Sequence, residues 1–270
     1  MIPKIIHYCW FGGNNIPKEH LHCIDSWKQF MPEYEIKEWN ESNFDLSCCQ
    51  YVKEAYDARK WAFVSDYARF WILYNFGGIY LDTDVELLKS LEPIITQGPF
   101  MAMESKGVVA PGLGLAAYPK MKIYKVILNS YHNSNFYQFP GIPTDENVVG
   151  KVTKILLSRG FNSQIIEIQK IAEVLIYPPE FFCPKNYKTN EILITNNTYS
   201  IHHYAASWIN DFEKKIQKLE YCVHKKNVIM KGFTYLHIMC LKSLNKYNSL
   251  GFIRFLKYVF LKLINSKAGS

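Results

Sequence analysis

Two aspartates, Asp82 and Asp84, stand one residue apart immediately after the apolar run Ile79-Tyr80-Leu81. Carboxylates so spaced at a strand exit can hold one divalent cation, and a hard cation with oxygen ligands can bridge the two phosphates of a nucleoside diphosphate. Neutralising a departing diphosphate is the main electrostatic demand of glycosyl transfer, which gives such a pair a purpose. The same spacing also fits a solvated turn at the end of a strand. Upstream, Asp66 and Arg69 are three residues apart, so a helix carries both on one face. There Arg69 can form a charge-assisted contact with a phosphate, or simply an intrahelical ion pair with Asp66.

The elements that must position these groups follow from hydrophobic periodicity. Residues 2–11 read as a buried first strand ended by Gly12-Gly13, residues 17–30 as a helix closing near Pro32, and residues 34–39 as a second strand. This βαβ-like rhythm predicts an α/β fold with a largely parallel sheet. Residues 51–76 read as one long helix, with Trp61, Val64, Ala68, Trp71, Ile72 and Asn75 at spacings of three and four and Gly77-Gly78 at its C-cap. The strand Ile79–Leu81 then delivers Asp82 and Asp84 where α/β folds bind ligands. Beyond it come a glycine-punctuated stretch over 98–115, helices near 120–131 and 146–158, and a turn-rich stretch over 139–143. Short strands follow near 165–168 and 174–177, then a Pro178-Pro179 break and the segment Tyr199-Ser200-Ile201-His202-His203-Tyr204. Thr144, followed by acids, reads as a helix cap, and Asp145 and Glu146 as candidate acceptor-side carboxylates or as first-turn acids.

With 49% hydrophobic residues in 270, the chain can bury a full core. Seven cysteines, odd in number and without a Cys-x-x-Cys pair, argue against a disulfide framework or a zinc knuckle and are expected as reduced thiols. The N-terminus lacks the pattern of a signal peptide, and no apolar run reaches the roughly 18 residues of a spanning helix, so a cytoplasmic location is expected. Charge is uneven: residues 211–270 hold 12 Lys and Arg against 3 acids, which leaves the first 210 residues at −2 of the overall +7. A boundary near 210 therefore separates a catalytic domain, 1–210, from a basic helical appendage, 211–270. In the appendage Phe252, Phe255, Leu256, Val259, Phe260, Leu263 and Ile264 share a helical stripe opposite Arg254, Lys257 and Lys262. Such a helix either packs on the core or rests on an anionic membrane surface.

The run Ser65-Asp66-Tyr67-Ala68-Arg69 through Asn75-Phe76-Gly77-Gly78-Ile79-Tyr80-Leu81-Asp82-Thr83-Asp84 resembles the DXD-containing sugar-binding region of glycosyltransferase family 32. That family comprises capsular polysaccharide and yeast outer-chain mannosyltransferase-like enzymes. The run is also similar to the catalytic domain of the large clostridial glucosylating toxins. The opening Ile2-Pro3-Lys4-Ile5-Ile6-His7-Tyr8-Cys9-Trp10-Phe11-Gly12 and the segment from His202 to Trp208 extend the likeness across roughly residues 2–208. The resemblance implies a GT-A-type, Rossmann-like nucleotide-sugar-binding fold with a mostly parallel central sheet and a helical C-terminal appendage. It implies that Trp10 stacks on the donor base, Asp66 and Arg69 hold the sugar and diphosphate, and Tyr80 lines the donor pocket. Asp82 would contact ribose and a metal-bound water, and Asp84 would ligate the metal, Mn2+ or Mg2+. His202 would complete the metal set, with His203 on the other face or the reverse register, since imidazole suits a borderline ion such as Mn2+. Ser207 and Trp208 would touch the donor phosphate and close the pocket, a carry-over that the toxins space differently.

The activity so implied is a retaining hexosyl transfer from a nucleotide sugar, UDP-linked in preference to GDP-linked, to a glycan of a bacterial surface polysaccharide, capsule or O-antigen. A lipid-linked acceptor would make sense of a basic helix at the cytoplasmic face of the inner membrane. Two other readings stay open. Residues 79–85 match the Asp-x-Asp-x-Val opening of haloacid-dehalogenase-like phosphatases, though no downstream Gly-Asp-x-x-x-Asp accompanies them. A non-catalytic, membrane-associated binding module would use the tail alone. Nucleic-acid binding fits poorly, because the positive charge sits on an apolar-striped helix.

Overall fold

The first strand, β1 (Ile5–Cys9), is flanked by β2 (Glu35–Trp39) and β3 (Gly78–Tyr80), both parallel to it. The helix between the first two strands, α1 (Lys18–Phe30), begins after Pro17, which ends the extended segment with its φ already preset for a helix entry. The computed structural model describes residues 1–139, 142–144, 146–186, 189 and 191–205, together with 219, 237–245, 247, 248, 251 and 255. Two compact units are present: Met1–Phe136 with Asp145–Asn186 and Glu191–Ala205, and Tyr137–Thr144 with Tyr187–Asn190 and Ala206–Ser270.

Where a single helix is expected over 51–76, two are found, α2 (Gln50–Asp57) and α3 (Trp61–Phe76). Arg59 adopts a left-handed backbone, φ 55°, and the Lys60 amide reaches back to the Ala55 carbonyl. That is a Schellman ending built on arginine instead of glycine, so no breaker residue announces it. The glycines after α3 have a steric reason. Gly78 sits at φ +93°, and a Cβ there would lie 2.7 Å from the Ile5 carbonyl oxygen and 3.1 Å from His7 Nε2.

The first unit continues through β4 (Val85–Leu87), α4 (Glu92–Ile95), β5 (Phe100–Ser105), β6 (Val108–Val109), a 3-10 turn at Pro111–Leu113, β7 (Leu115–Ala117) and α5 (Lys122–His132). In the second unit β8 (Tyr137–Phe139) pairs antiparallel with β9 (Ile142–Pro143), which gives the turn-rich 139–143 stretch a hairpin. The first unit resumes with α6 (Val148–Leu157), β10 (Gln169–Ile171), β11 (Val174–Tyr177), α7 (Pro179–Phe182) and β12 (Ser200–His202).

The central sheet has the order β10-β11-β5-β7-β3-β1-β2, with β6 paired to β5. It is mixed but mostly parallel: β1, β2, β3, β5 and β11 run one way, while β7 and β10 run against their neighbours. One face of the sheet packs on α1, whose buried residues His20, Cys23, Ile24, Ser26 and Trp27 recur at helical spacing. Trp27 is fully buried and donates its Nε1–H to the Val85 carbonyl at 2.7 Å, while Ser26 Oγ accepts from the Leu87 amide at 2.9 Å. Helix α1 therefore clamps β4, the strand that follows the Asp pair.

Two local expectations need correction. Ile165, Ile166 and Ile168 do not form a strand: they are exposed, and pairing begins only at Gln169. The cap of α6 is Asn147, whose side chain accepts from the Gly150 amide at 2.8 Å, and Thr144 lies outside that helix. In the second unit residues 237–245 are helical, and Ile238 is buried against Leu219 and Leu241. Of the basic apolar stripe, Phe255 is described and stands edge-on to Tyr247 at 5.6 Å; the rest lies outside the described residues. Among the described residues no helix is long and apolar enough to cross a membrane.

Candidate functional site

Strand β3 ends at Tyr80, and the chain turns sharply after it, the Val85 amide bonding to the Asp82 carbonyl at 3.0 Å. Strand β4 then pairs antiparallel with β12, opposing Val85 to His202. The ribbon extends one step further, where the His203 amide donates to the Asp84 carbonyl at 2.9 Å. This register brings together residues more than a hundred positions apart: His202 Nε2 lies 3.2 Å from Asp84 Oδ1. Asp82, Asp84 and His202 each offer a ligand atom, all within 4.8 Å of one another. His203 is directed elsewhere and donates to Glu86 Oε2 at 2.7 Å.

Behind the triad, Arg69 bridges two carboxylates, Asp66 Oδ1 at 3.0 Å and Asp82 Oδ1 at 3.1 Å. Tyr80 donates its hydroxyl to the same Asp82 oxygen at 3.0 Å, and the Arg69 guanidinium lies 5.1 Å from the centre of the Tyr80 ring. Asp82 Oδ1 is thus fixed from two sides. The Asp66/Arg69 pair is more than an isolated intrahelical bridge, because it is tied to the Asp-x-Asp turn.

Burial and charge work against each other here. Burial pushes the Asp84 carboxyl up, but the His202 imidazole and the Ala205 amide, which donates to Oδ2 at 2.9 Å, hold it below the usual carboxylate range. Burial pushes His202 down, yet Asp84, Asp82 and Glu104 raise it. Burial pushes Asp66 up to about 7, aided by the Asp82 charge and opposed by Arg69. The donor set of two carboxylate oxygens and one imidazole suits Mn2+ or a similar divalent ion. One further feature fits a bound cation: a Cβ at Gly112 would stand 2.2 Å from Asp82 Oδ2 and 3.9 Å from His202 Nε2, so glycine leaves the approach to both atoms open. On the opposite edge of the His202 ring, Nδ1 is buried without a hydrogen-bond partner among the described residues.

Trp10, just past β1, is partly buried, donates Nε1–H to the Asn14 carbonyl at 2.6 Å and meets the His20 ring edge-on at 5.4 Å. Ser207, Trp208 and Asp145 lie outside the described residues. Glu146 is engaged by Lys151, a buried lysine whose Nζ lies 2.8 Å away. Three neighbours of the site went unread in the sequence. Gly112 sits in a Pro-Gly turn, which signals a reversal but not what it approaches. His20 bonds Thr83 Oγ1 at 2.8 Å; its signal is a histidine on the apolar stripe of α1. Glu104, partly buried near the carboxyl end of β5, has its carboxyl pushed up by burial and lowered by His202.

Residues 17–101 match the family model described as glycosyltransferase sugar-binding region containing DXD motif. The region spans α1 to the start of β5 and so includes His20, Asp66, Arg69, Tyr80, Asp82 and Asp84; Trp10 and His202 lie outside it. Inositol phosphoceramide mannosyltransferase 1 of Schizosaccharomyces pombe is 24% identical over 155 residues, 52% of this chain and 47% of its own. An uncharacterized glycosyltransferase of Acanthamoeba polyphaga mimivirus is 28% identical over 227 residues, 74% of this chain and 83% of its own. Among solved structures, the PaToxG glycosyltransferase overlays with a TM-score of 0.44 at 20% identity, covering 58% of this chain and 69% of that one. The matched part spans less than half the length of two of the fission-yeast relatives. The matched sugar-binding region contains the Asp82–Asp84 pair, and the relatives bear glycosyltransferase names.

Proposed function

We propose that this chain transfers a hexosyl group from a nucleoside-diphosphate sugar to a glycan hydroxyl, holding the donor through a divalent cation at Asp82, Asp84 and His202. The observation that carries this reading is the convergence of those three ligand atoms within 4.8 Å at the exit of β3, inside or beside the matched sugar-binding region. A bound Mn2+ or Mg2+ would supply positive charge to the departing diphosphate. The chain's own residues prepare for it. His202 would offer Nε2 as a neutral imidazole with its proton on Nδ1. Arg69 and Tyr80 hold Asp82 Oδ1, which would leave Oδ2 as the oxygen free to meet a cation. Asp66, anchored by Arg69, offers its remaining oxygen to sugar hydroxyls, and Trp10 offers its face to the base. Glu104, a partly buried carboxyl electrostatically linked to His202, is our candidate to accept a hydrogen bond from the acceptor, a role to which Glu146 is poorly suited by its pairing with Lys151.

Finer features rest on likeness. The resemblance to retaining enzymes supports retention of anomeric configuration and a UDP-sugar donor, while the mannosyltransferase names of the relatives make mannosyl nucleotides equal candidates. The +9 charge of residues 211–270 supports contact with an anionic membrane, the cytoplasmic inner leaflet in a bacterial host, where lipid-linked acceptors of surface polysaccharide synthesis reside.

The test is calorimetric titration of UDP, GDP and their hexose conjugates with and without Mn2+, on the native chain and on Asp84→Ala and Trp10→Ala. Metal-dependent binding of one nucleotide series, lost in both variants, is expected. Absence of metal-dependent binding with every nucleotide overturns the reading, and phosphate release from simple phosphoesters would point to a phosphatase instead.

A further inference from the structure

Resting on that donor-site reading, we propose that His20 is a positioning residue that couples nucleoside recognition at Trp10 to cation binding at the Asp82–Asp84 turn. His20 projects from the buried face of α1 and is 4% exposed. On one side its Nδ1 lies 2.8 Å from Oγ1 of Thr83, the residue between the two aspartates, itself 8% exposed. On the other side its ring meets the Trp10 indole edge-on, with centroids 5.4 Å apart and planes inclined by 61°. The far end of that indole is tied to the Asn14 carbonyl. An unbroken path therefore runs from the indole through the imidazole and a hydroxyl to the backbone that carries both metal aspartates.

A buried imidazole is a costly way to fill this position, since a leucine would bury as well without a polar group to satisfy. What the imidazole adds is direction. Thr83 is β-branched and stiff at χ1, so a hydrogen bond to its hydroxyl restrains the backbone of the turn between Asp82 and Asp84. The rest of α1 holds the following strand through Ser26 and Trp27, which leaves His20 as that helix's side-chain hydrogen bond to the turn itself. A cation that orders the Asp pair thereby restrains Thr83, His20 and the plane of Trp10, and by reciprocity a base stacked on Trp10 favours the ordered turn.

A nucleoside without phosphates isolates this path, because it cannot touch the cation directly. On the full chain, uridine and guanosine are titrated with and without Mn2+, followed by calorimetry and by tryptophan fluorescence. Mn2+ is expected to tighten binding of the preferred nucleoside about fivefold, the lower end of measured site-to-site couplings. In His20→Phe, which keeps an aromatic edge for Trp10 but cannot bond Thr83, and in the near-isosteric Thr83→Val, that ratio should fall to one. Both variants should still bind the nucleoside diphosphate in a Mn2+-dependent manner, and the double variant should show no further loss. No Mn2+ effect on either nucleoside in the native chain, no nucleoside binding at all, or a ratio that survives both substitutions overturns the coupling. Failure of the native chain to bind any nucleoside diphosphate with Mn2+ instead breaks the donor-site reading on which it rests.

Discussion

His7 is a buried histidine and His202 a partly buried one, both in short strands, and burial alone drives each imidazole towards its neutral form. Their partners then send them in opposite directions. At His7, inside the central sheet, Trp39 donates Nε1–H to Nδ1 at 3.1 Å, so Nε2 carries the proton and donates to the Gly77 carbonyl at 3.0 Å. Both nitrogens are satisfied by neutral groups, and the side chain is held down at about 4 by burial. At His202, on the β4–β12 ribbon, the neighbours are Asp84, Asp82 and Glu104, the side chain is raised, and Nδ1 has no partner among the described residues. A histidine closed on both sides by neutral partners is architecture. One whose Nε2 faces converging carboxylates stands where a cation could be held.

The largest effect should come from breaking the closed site. His7→Ala leaves the Trp39 indole N–H and the Gly77 carbonyl unpaired in the core and opens a cavity, which together should cost about 4 kcal/mol of stability. Urea unfolding would read this as a lower midpoint at unchanged slope. Nucleotide binding per folded molecule should stay as it was, and a loss of binding beyond the folded fraction would put His7 in the site.

The same histidine should leave a pH signature. Its folded value, about 4, lies below the ordinary 6.5. Between those limits the unfolded chain takes up a proton that the folded chain refuses, so stability falls as pH drops from 6.5 towards 4. That gap corresponds to about 3 kcal/mol. Subtracting the profile of His7→Gln from that of the native chain isolates the contribution, and parallel profiles would mean that folding leaves the His7 imidazole unshifted.

The open site should show the reverse balance. His202→Ala removes the proposed ligand together with its ion pair to Asp84, so Mn2+ affinity should fall about a hundredfold, about 2.7 kcal/mol, while stability falls by less than that. Manganese titration followed by magnetic resonance measures the first and urea unfolding the second. An undiminished affinity would remove His202 from the ligand set.

How much of this was legible beforehand differs by level. The βαβ opening, the Asp-x-Asp pair at a strand exit and the placement of Asp66 and Arg69 on one helical face all follow from local periodicity, which a single sequence displays. The end of α2 does not, because Arg59 takes the left-handed conformation usually given to glycine. Nor do the antiparallel β7 and the aliphatic exposure of Ile165, Ile166 and Ile168, which tertiary pairing decides. His202 was named through resemblance, whereas the register that brings it to Asp84 is visible only in the fold. His7 was read merely as part of an apolar strand, since nothing in sequence reveals the Trp39 and Gly77 partners that make it structural.

Gly112 gives the smallest and sharpest test of the open site. Its φ is outside the left-handed range, so alanine is acceptable to the backbone, and the only objection to a side chain is the space it would need. That space belongs to Asp82: a Cβ would lie 2.2 Å from Oδ2 and 3.2 Å from Cγ. Asp82 cannot turn away freely, because Arg69 and Tyr80 grip its other oxygen. Gly112→Ala must therefore either displace the carboxylate or shift the Pro111–Leu113 turn. If the carboxylate moves, Mn2+ affinity should drop about tenfold, about 1.4 kcal/mol, while urea stability changes by less than that. If the turn moves instead, stability falls and affinity per folded molecule holds. The two outcomes distinguish a glycine that keeps room for a ligand oxygen from one that merely lets the chain reverse.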